Sequence, residues 1–218
     1  MLQLPLLGAA QINERNRDGV SVFNNGYVLV PPEASLVHGN PFLQPGWQAT
    51  SVQLVGSANP LPTTLRYDVY RQEVRVRRPQ GDSVVVPLTR IKEFTLTPAD
   101  RRFVCYPAAT LPTEVQGACA EVLANGPHLQ LLKFWNKKLV KQPADNTSYG
   151  SNSTMTVLEE SVRYYLRWPA DGHWTAVRPK QALAGQPTAL KAQKATLNSE
   201  AELTAAVPAL DPTITLGH

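Results

Sequence analysis

The sequence predicts a mainly-β fold: an antiparallel β-meander, curved or partly closed, with short C-terminal α-helices. Three observations carry this expectation. From Trp47 onward apolar and polar residues alternate with period two, the pattern of strands with one buried and one wet face. The runs are joined by short, turn-rich connections, and short connections imply antiparallel neighbours, because a parallel crossover needs a dozen residues or more. The 19 prolines are scattered between the apolar runs, as suits short strands and turns. With 218 residues the chain can hold one full domain and additional elements. A hydrophobic share of 43% argues against disorder throughout, and a charged share of 17% against coiled coils or long salt-bridged helices.

The chain opens with Leu2 to Ala10 (LQLPLLGAA), a short apolar run ending in small residues. Gly8 and Ala10 suit the positions before a signal-peptidase cut that leaves Gln11 as the new terminus. No basic residue precedes the run, and it is short for such a segment; a buried N-terminal strand is the alternative. Residues 1–10 are read as a signal-peptide remnant. No other stretch approaches the ~20 apolar residues needed to span a bilayer. Residues 11–40 read as irregular, with a turn at Asn24-Asn25-Gly26 and an apolar stretch from Tyr27 to Val30 stopped by Pro31-Pro32.

An antiparallel β domain is expected over 41–178. Trp47 to Val55 reads as its first strand. Leu65, Tyr67 and Val69 alternate with Arg66, Asp68 and Tyr70; Val74 and Val76 alternate with Glu73, Arg75 and Arg77. Pro79 to Asp82 turns the chain into Ser83 to Leu88. Ile91 to Leu96 and Arg102 to Tyr106 follow, separated by Pro98-Ala99-Asp100. Glu114 to Leu123 fits a helical stripe or a strand; the strand is preferred, because Asn125-Gly126 is a strong hairpin signal leading into Leu129 to Trp135. Lys133 to Lys141 continues as a basic edge, and lysines on an edge discourage edge-to-edge association. Pro143 to Ser153 reads as an exposed loop and Thr156 to Val162 as a strand or bridging segment. Tyr164 to Trp168 and Trp174 to Arg178 form a hairpin around Pro169 to Gly172. Residues 179–218 form the helical tail packed on this domain, with short helices at Gln181 to Leu190 and Ser199 to Ala206. Asn198 or Ser199 caps the second helix, Glu200 and Glu202 sit in its first turn, and Pro208 and Pro212 end it.

The net charge of +4 is not blocked and reads as a solvated basic surface. The two cysteines, Cys105 and Cys119, are either a disulfide, which would require an oxidising compartment, or two separate buried thiols.

The order of signals from Asn40 to Ala206 resembles a known group. Asn40-Pro-Phe-Leu and Gly46-Trp lead into Leu65-Arg-Tyr-Asp-Val-Tyr, then Glu73-Val-Arg-Val, Ile91-Lys-Glu-Phe, Leu131-Leu-Lys and Tyr164-Tyr-Leu, and a lysine-containing helical tail closes the chain. This is similar to a broad group of exported β-rich proteins of Bacteroidetes-type bacteria that has no assigned activity. The resemblance implies a secreted or periplasmic protein without a known catalytic centre.

No catalytic motif stands out. There is no Gly-x-Ser-x-Gly, no phosphate-binding glycine loop and no His-Glu-x-x-His. His38, His128, His173 and His218 each stand alone, so no metal site and no cofactor is expected. Asp171 and His173 flank a turn glycine and read as turn residues. Glu159 and Glu160 point to opposite faces if on a strand, and Glu159 with Arg163 is an ordinary pair if on a helix. An enzyme would need separated residues such as His128, Asp171 or Glu121 to converge.

The aromatic hairpins are the main binding candidates. Trp135, Tyr164, Trp168 and Trp174, with Phe134 and Tyr165, can stack on a ligand or anchor a partner, or simply hold the hairpins together. On a strand Tyr164, Leu166 and Trp168 share one face while Tyr165 and Arg167 share the other. Arg71, Arg75 and Arg77 form one basic group; Lys133, Lys137, Lys138 and Lys141 form a second. With Phe134 and Trp135 the second loosely resembles a single-strand nucleic-acid platform, but an exported protein would rarely meet nucleic acid, and none is expected. The function expected is an exported, non-catalytic binding or structural module for a protein or envelope component, exposing an apolar or aromatic patch. A carrier with an apolar pocket for a small ligand or lipid is the alternative, and an enzyme with a non-motif active site the second.

Overall fold

A computed structural model describes residues 38–97, 99–115, 119–143, 154–178 and 199–211. The expected signal remnant at 1–10, nearly all of the irregular 11–40 segment, most of the 143–153 loop and the helix at Gln181 to Leu190 lie outside the described residues.

Among the described residues, ten strands form one open antiparallel sheet. They are β1 Gln48–Leu54, β2 Leu61–Asp68, β3 Glu73–Arg77, β4 Ser83–Val86, β5 Ile91–Leu96, β6 Arg101–Cys105, β7 Cys119–Asn125, β8 Gln130–Pro143, β9 Thr154–Arg167 and β10 Trp174–Val177. The strand order is β10-β9-β8-β7-β6-β5-β1-β2-β3-β4. The one described α-helix, α1 Glu200–Leu210, follows. Among the described residues no helix is long and apolar enough to cross a membrane.

Strand order and connection length together require curvature. In a flat sheet β4 and β5 would stand four spacings apart, roughly 19 Å at about 4.8 Å each. Pro87 to Arg90 must span that distance, yet Leu88–Arg90 is a 3-10 turn, rising only about 2 Å per residue. The sheet therefore curls until β4 approaches β5. Val84 and Val86 of β4 consequently share one core with Val52, Leu65, Phe94 and Phe103. At its centre Phe94 and Phe103 stack at 4.8 Å, with Tyr67 edge-on to both at 5.7 and 6.0 Å.

The wet face expected for β2 and β3 is partly covered. The Asn40–Trp47 lead-in crosses it, and the Phe42 ring lies under Arg66 at 3.5 Å and Arg75 at 5.6 Å. Arg75 is thereby buried beside the fully buried Asp68, and it does not join an exposed basic stripe with Arg71 and Arg77. Asp68 caps the turn after β2 by accepting from the Tyr70 and Arg71 amides at 3.1 and 2.8 Å. Gln72 in that turn has φ 56°; its side chain donates to the Val69 and Trp135 carbonyls and accepts from the Tyr67 hydroxyl. The turn is thus bonded to β8, where β8 has left β7.

β8 and β9 pair over their whole length. The bridging segment at Thr156 and the strand at Tyr164 are one continuous strand. α1 starts as expected: the Ser199 hydroxyl accepts from the Glu202 amide at 3.2 Å. It does not end at Pro208 but runs to Leu210. Pro208 cannot donate to the Thr204 carbonyl four residues back, so α1 gives up one hydrogen bond in its last turns.

Candidate functional site

Strand pleating sorts the aromatic hairpins onto two faces. On one, Leu131, Tyr164, Leu166, Trp168 and Val177 pack with Leu203 and Val207 of α1. On the other, Leu132, Phe134 and Tyr165 pack with Tyr106, Leu111, Val115 and Trp174. The segment after β6 therefore does for one face what α1 does for the other. Cys105 and Cys119 stand directly opposite in β6 and β7 and are joined as a disulfide, so both ends of that segment are tied together.

On the helix face, charged groups sit where the two halves of the sheet meet. The Glu121 carboxylate is 7% exposed and accepts from Arg101 at 2.6 and 2.8 Å and from the Trp135 indole at 2.6 Å. Lys133, 8% exposed, donates to Glu200 at 2.6 Å and lies 3.9 Å from the Trp135 ring centre. The same Glu200 oxygen accepts from the Tyr164 hydroxyl at 2.6 Å. Burial and this carboxylate push the Tyr164 hydroxyl far up. Burial works against the charged form of Glu200, but the bonds from Lys133 and Tyr164 outweigh it and hold its carboxyl below the usual range.

Among the described residues, an open feature lies on the opposite face and reaches round the edge of β9 to Val162, Tyr164 and Val177. A groove of about 850 Å³ is lined by Pro112, Glu114, Arg163, Tyr165, Trp174 and Arg178, with Tyr164 at its edge. A smaller hollow of about 290 Å³ adjoins it through Glu114 and Arg163 and reaches Lys138. Trp174 forms the floor, edge-on to Tyr106 at 5.2 Å and Tyr165 at 6.2 Å, with the Arg167 guanidinium 5.5 Å from its ring centre. Burial pushes the Tyr106 hydroxyl up, with Arg167 and Arg102 opposing. Arg163 donates to the Glu114 carbonyl and so ties the groove wall to β9. One step beyond the Val177–Tyr164 pair, the register sets Arg178 opposite Arg163.

Of the four aromatic candidates, Tyr164 and Trp174 line the groove. Trp135 belongs to the charged junction, and Trp168 packs under α1 with its ring 5.3 Å from His173. The broad exposed aromatic patch does not form: among the described residues the large exposed hydrophobics are Val55 and Leu139. The lysine group is divided. Lys133 is bonded to Glu200, Lys137 donates to the Asn40 and Phe42 carbonyls at 2.7 Å each, and Lys138 pairs with Glu159 at 3.4 Å. The Asp171 carboxylate accepts from the His173 amide at 2.9 Å, closing the turn. His128 donates its amide to Asp211, so His128, Asp171 and Glu121 each have separate partners. Among the described residues no His, Cys, Asp and Glu side chains cluster to hold a metal.

Arg178, Glu114 and Pro112 do not stand out in the sequence as site residues, and Arg163 stands out there only as a helical partner of Glu159. Counting the register back from the Pro169–Gly172 turn would have found the Arg163–Arg178 pair. Nothing local marks Pro112 or Glu114, which arrive from a distant segment. No family model, curated protein or solved structure matches the chain.

Proposed function

We propose that this protein is an exported, non-catalytic binding module, periplasmic or secreted, of the β-rich Bacteroidetes-type group its strand pattern resembles. It engages a protein or envelope component through the groove over Trp174. The observation that carries this reading is the groove itself: a half-buried tryptophan beside Arg167, with Arg163 and Arg178 facing each other further along, on a face where Phe134 and Tyr165 are buried. Such an aromatic anchor with flanking arginines is the composition of binding hot spots. The Cys105–Cys119 bridge supports an oxidising compartment. A carrier of apolar ligands gains less support, because the groove opens along a strand edge and carries two arginines and a glutamate rather than a closed apolar lining.

The test has two arms in the native cells. Cysteines that resist alkylation until reduced, in protein recovered from outside the cytoplasm, support export; alkylated cysteines in a cytoplasmic protein overturn it. A photo-reactive side chain at Ala176, in the groove, should cross-link one defined partner in intact cells, whereas one at Lys92, on β5, should not. Loss of the adduct with Trp174→Ala supports the groove as the contact surface. Equal adducts from both sites, or none, overturn it.

A further inference from the structure

Among the described residues, one stretch of β9 has no strand on its outer edge. β8 covers one side of β9 throughout. On the other side β10 pairs with Tyr164 to Arg167, and His38 bridges further along, donating to the Thr156 carbonyl at 3.2 Å and accepting from the Leu158 amide at 3.0 Å. These bonds show which residues face outward: Thr156 and Leu158 do, and so does Trp168, whose amide donates to His173. Successive strand residues alternate, so Glu160 and Val162 also direct N–H and C=O outward. No described residue pairs with them. The residue two beyond Val177 is Pro179, which lacks the N–H that a ladder position opposite Val162 would need.

We infer that this gap is a strand-addition slot for a short extended segment of a partner protein, with apolar and acidic residues in alternation. The inference rests on the binding-module reading and specifies its partner. Backbone pairing supplies the affinity and the two faces supply the selectivity. One face of the slot presents Val162, Tyr164 and Val177; the other presents Arg163 and Arg178 against the single carboxylate of Glu114, with Lys138, paired to Glu159, further along. An incoming side chain opposite Val162 meets apolar surface, and its neighbour opposite Arg163 meets two guanidiniums, which favour a carboxylate. A second copy of this chain does not fit. If two β9 strands paired through these edges, β10 of each copy would fall on Met155 to Leu158 of the other, where His38 already stands.

The test uses the folded protein and two blocked peptides, acetyl-Val-Glu-Val-Glu-Val-amide and acetyl-Val-Lys-Val-Lys-Val-amide, followed by amide NMR. The acidic peptide should shift and protect the Glu160 and Val162 amides and bind roughly tenfold tighter than the basic one. The double variant Arg163→Glu, Arg178→Glu changes two exposed side chains and should reverse that preference; Val162→Pro should abolish protection. Equal binding of both peptides, shifts confined to other residues, or amides already protected in the free protein overturn the slot. Should the slot fail while cross-linking through Ala176 still depends on Trp174, the binding-module reading survives and only strand addition is lost.

Discussion

Gly126 has no room for a methyl group. A Cβ there would stand 2.5 Å from the Asp211 carboxyl carbon, and that carboxylate accepts the His128 amide at 2.9 Å. Gly126→Ala must therefore displace a buried carboxylate and leave an amide without its partner. The expected cost is about 1–3 kcal/mol, read as a lower denaturant midpoint with unchanged slope. A stability equal to wild type would mean that Asp211 moves freely. At the same scale, Arg75 and Lys133 show how a lone side chain escapes sequence reading. Alternation placed both on strands, but burial came from Phe42 and Glu200, which are distant in the chain.

At the scale of elements, the disulfide and α1 hold the coverings of the two faces. The cysteines are separated by 14 residues, so in the chain-entropy model the closed loop contributes about 3 kcal/mol. Replacing both with serine should lower unfolding free energy by about that amount. It should also loosen Pro112 and Glu114, seen as faster amide exchange in the segment after β6. No change in either would show that the segment holds itself.

α1 carries a pH dependence. The Glu200 carboxyl titrates lower in the folded chain than in the unfolded chain, so its contribution is complete above the ordinary value of about 4.3. It is lost as pH falls through the lower folded value. Lys133, Tyr164 and Arg101 are the groups that face it. Amide protection at Leu203 and Val207 should therefore fall on acidification in the wild type, while Glu200→Gln starts weaker and lacks that step. Parallel acid profiles would remove Glu200 as the cause. The effect should be modest, since the Glu200 side chain is 40% exposed.

Across the whole molecule, β7 contributes Cys119 to the core around Phe94 and Ala124 to the core under α1, and the Arg101–Glu121–Trp135 bonds lie between the two. Unfolding should be a single cooperative transition, with tryptophan fluorescence from Trp174 and amide exchange in β3 reporting the same midpoint. Two separated midpoints would show two independent units. The sheet also stays open, because β4 and β10 remain its outer strands.

The sequence by itself determined the strands, their antiparallel sense and the start of α1. These follow from period-two alternation, short turns and a serine cap, all of which act within a few residues. It also sorted Tyr164, Leu166 and Trp168 from Tyr165 and Arg167, because pleating is local. Only the tertiary structure decided that β4 curls toward β5, that Phe42 covers Arg75, and that Pro112 and Glu114 wall a groove on β9. Each of these joins residues far apart in the chain, where the energy lies in burial and pairing between segments and leaves no periodic trace in either one.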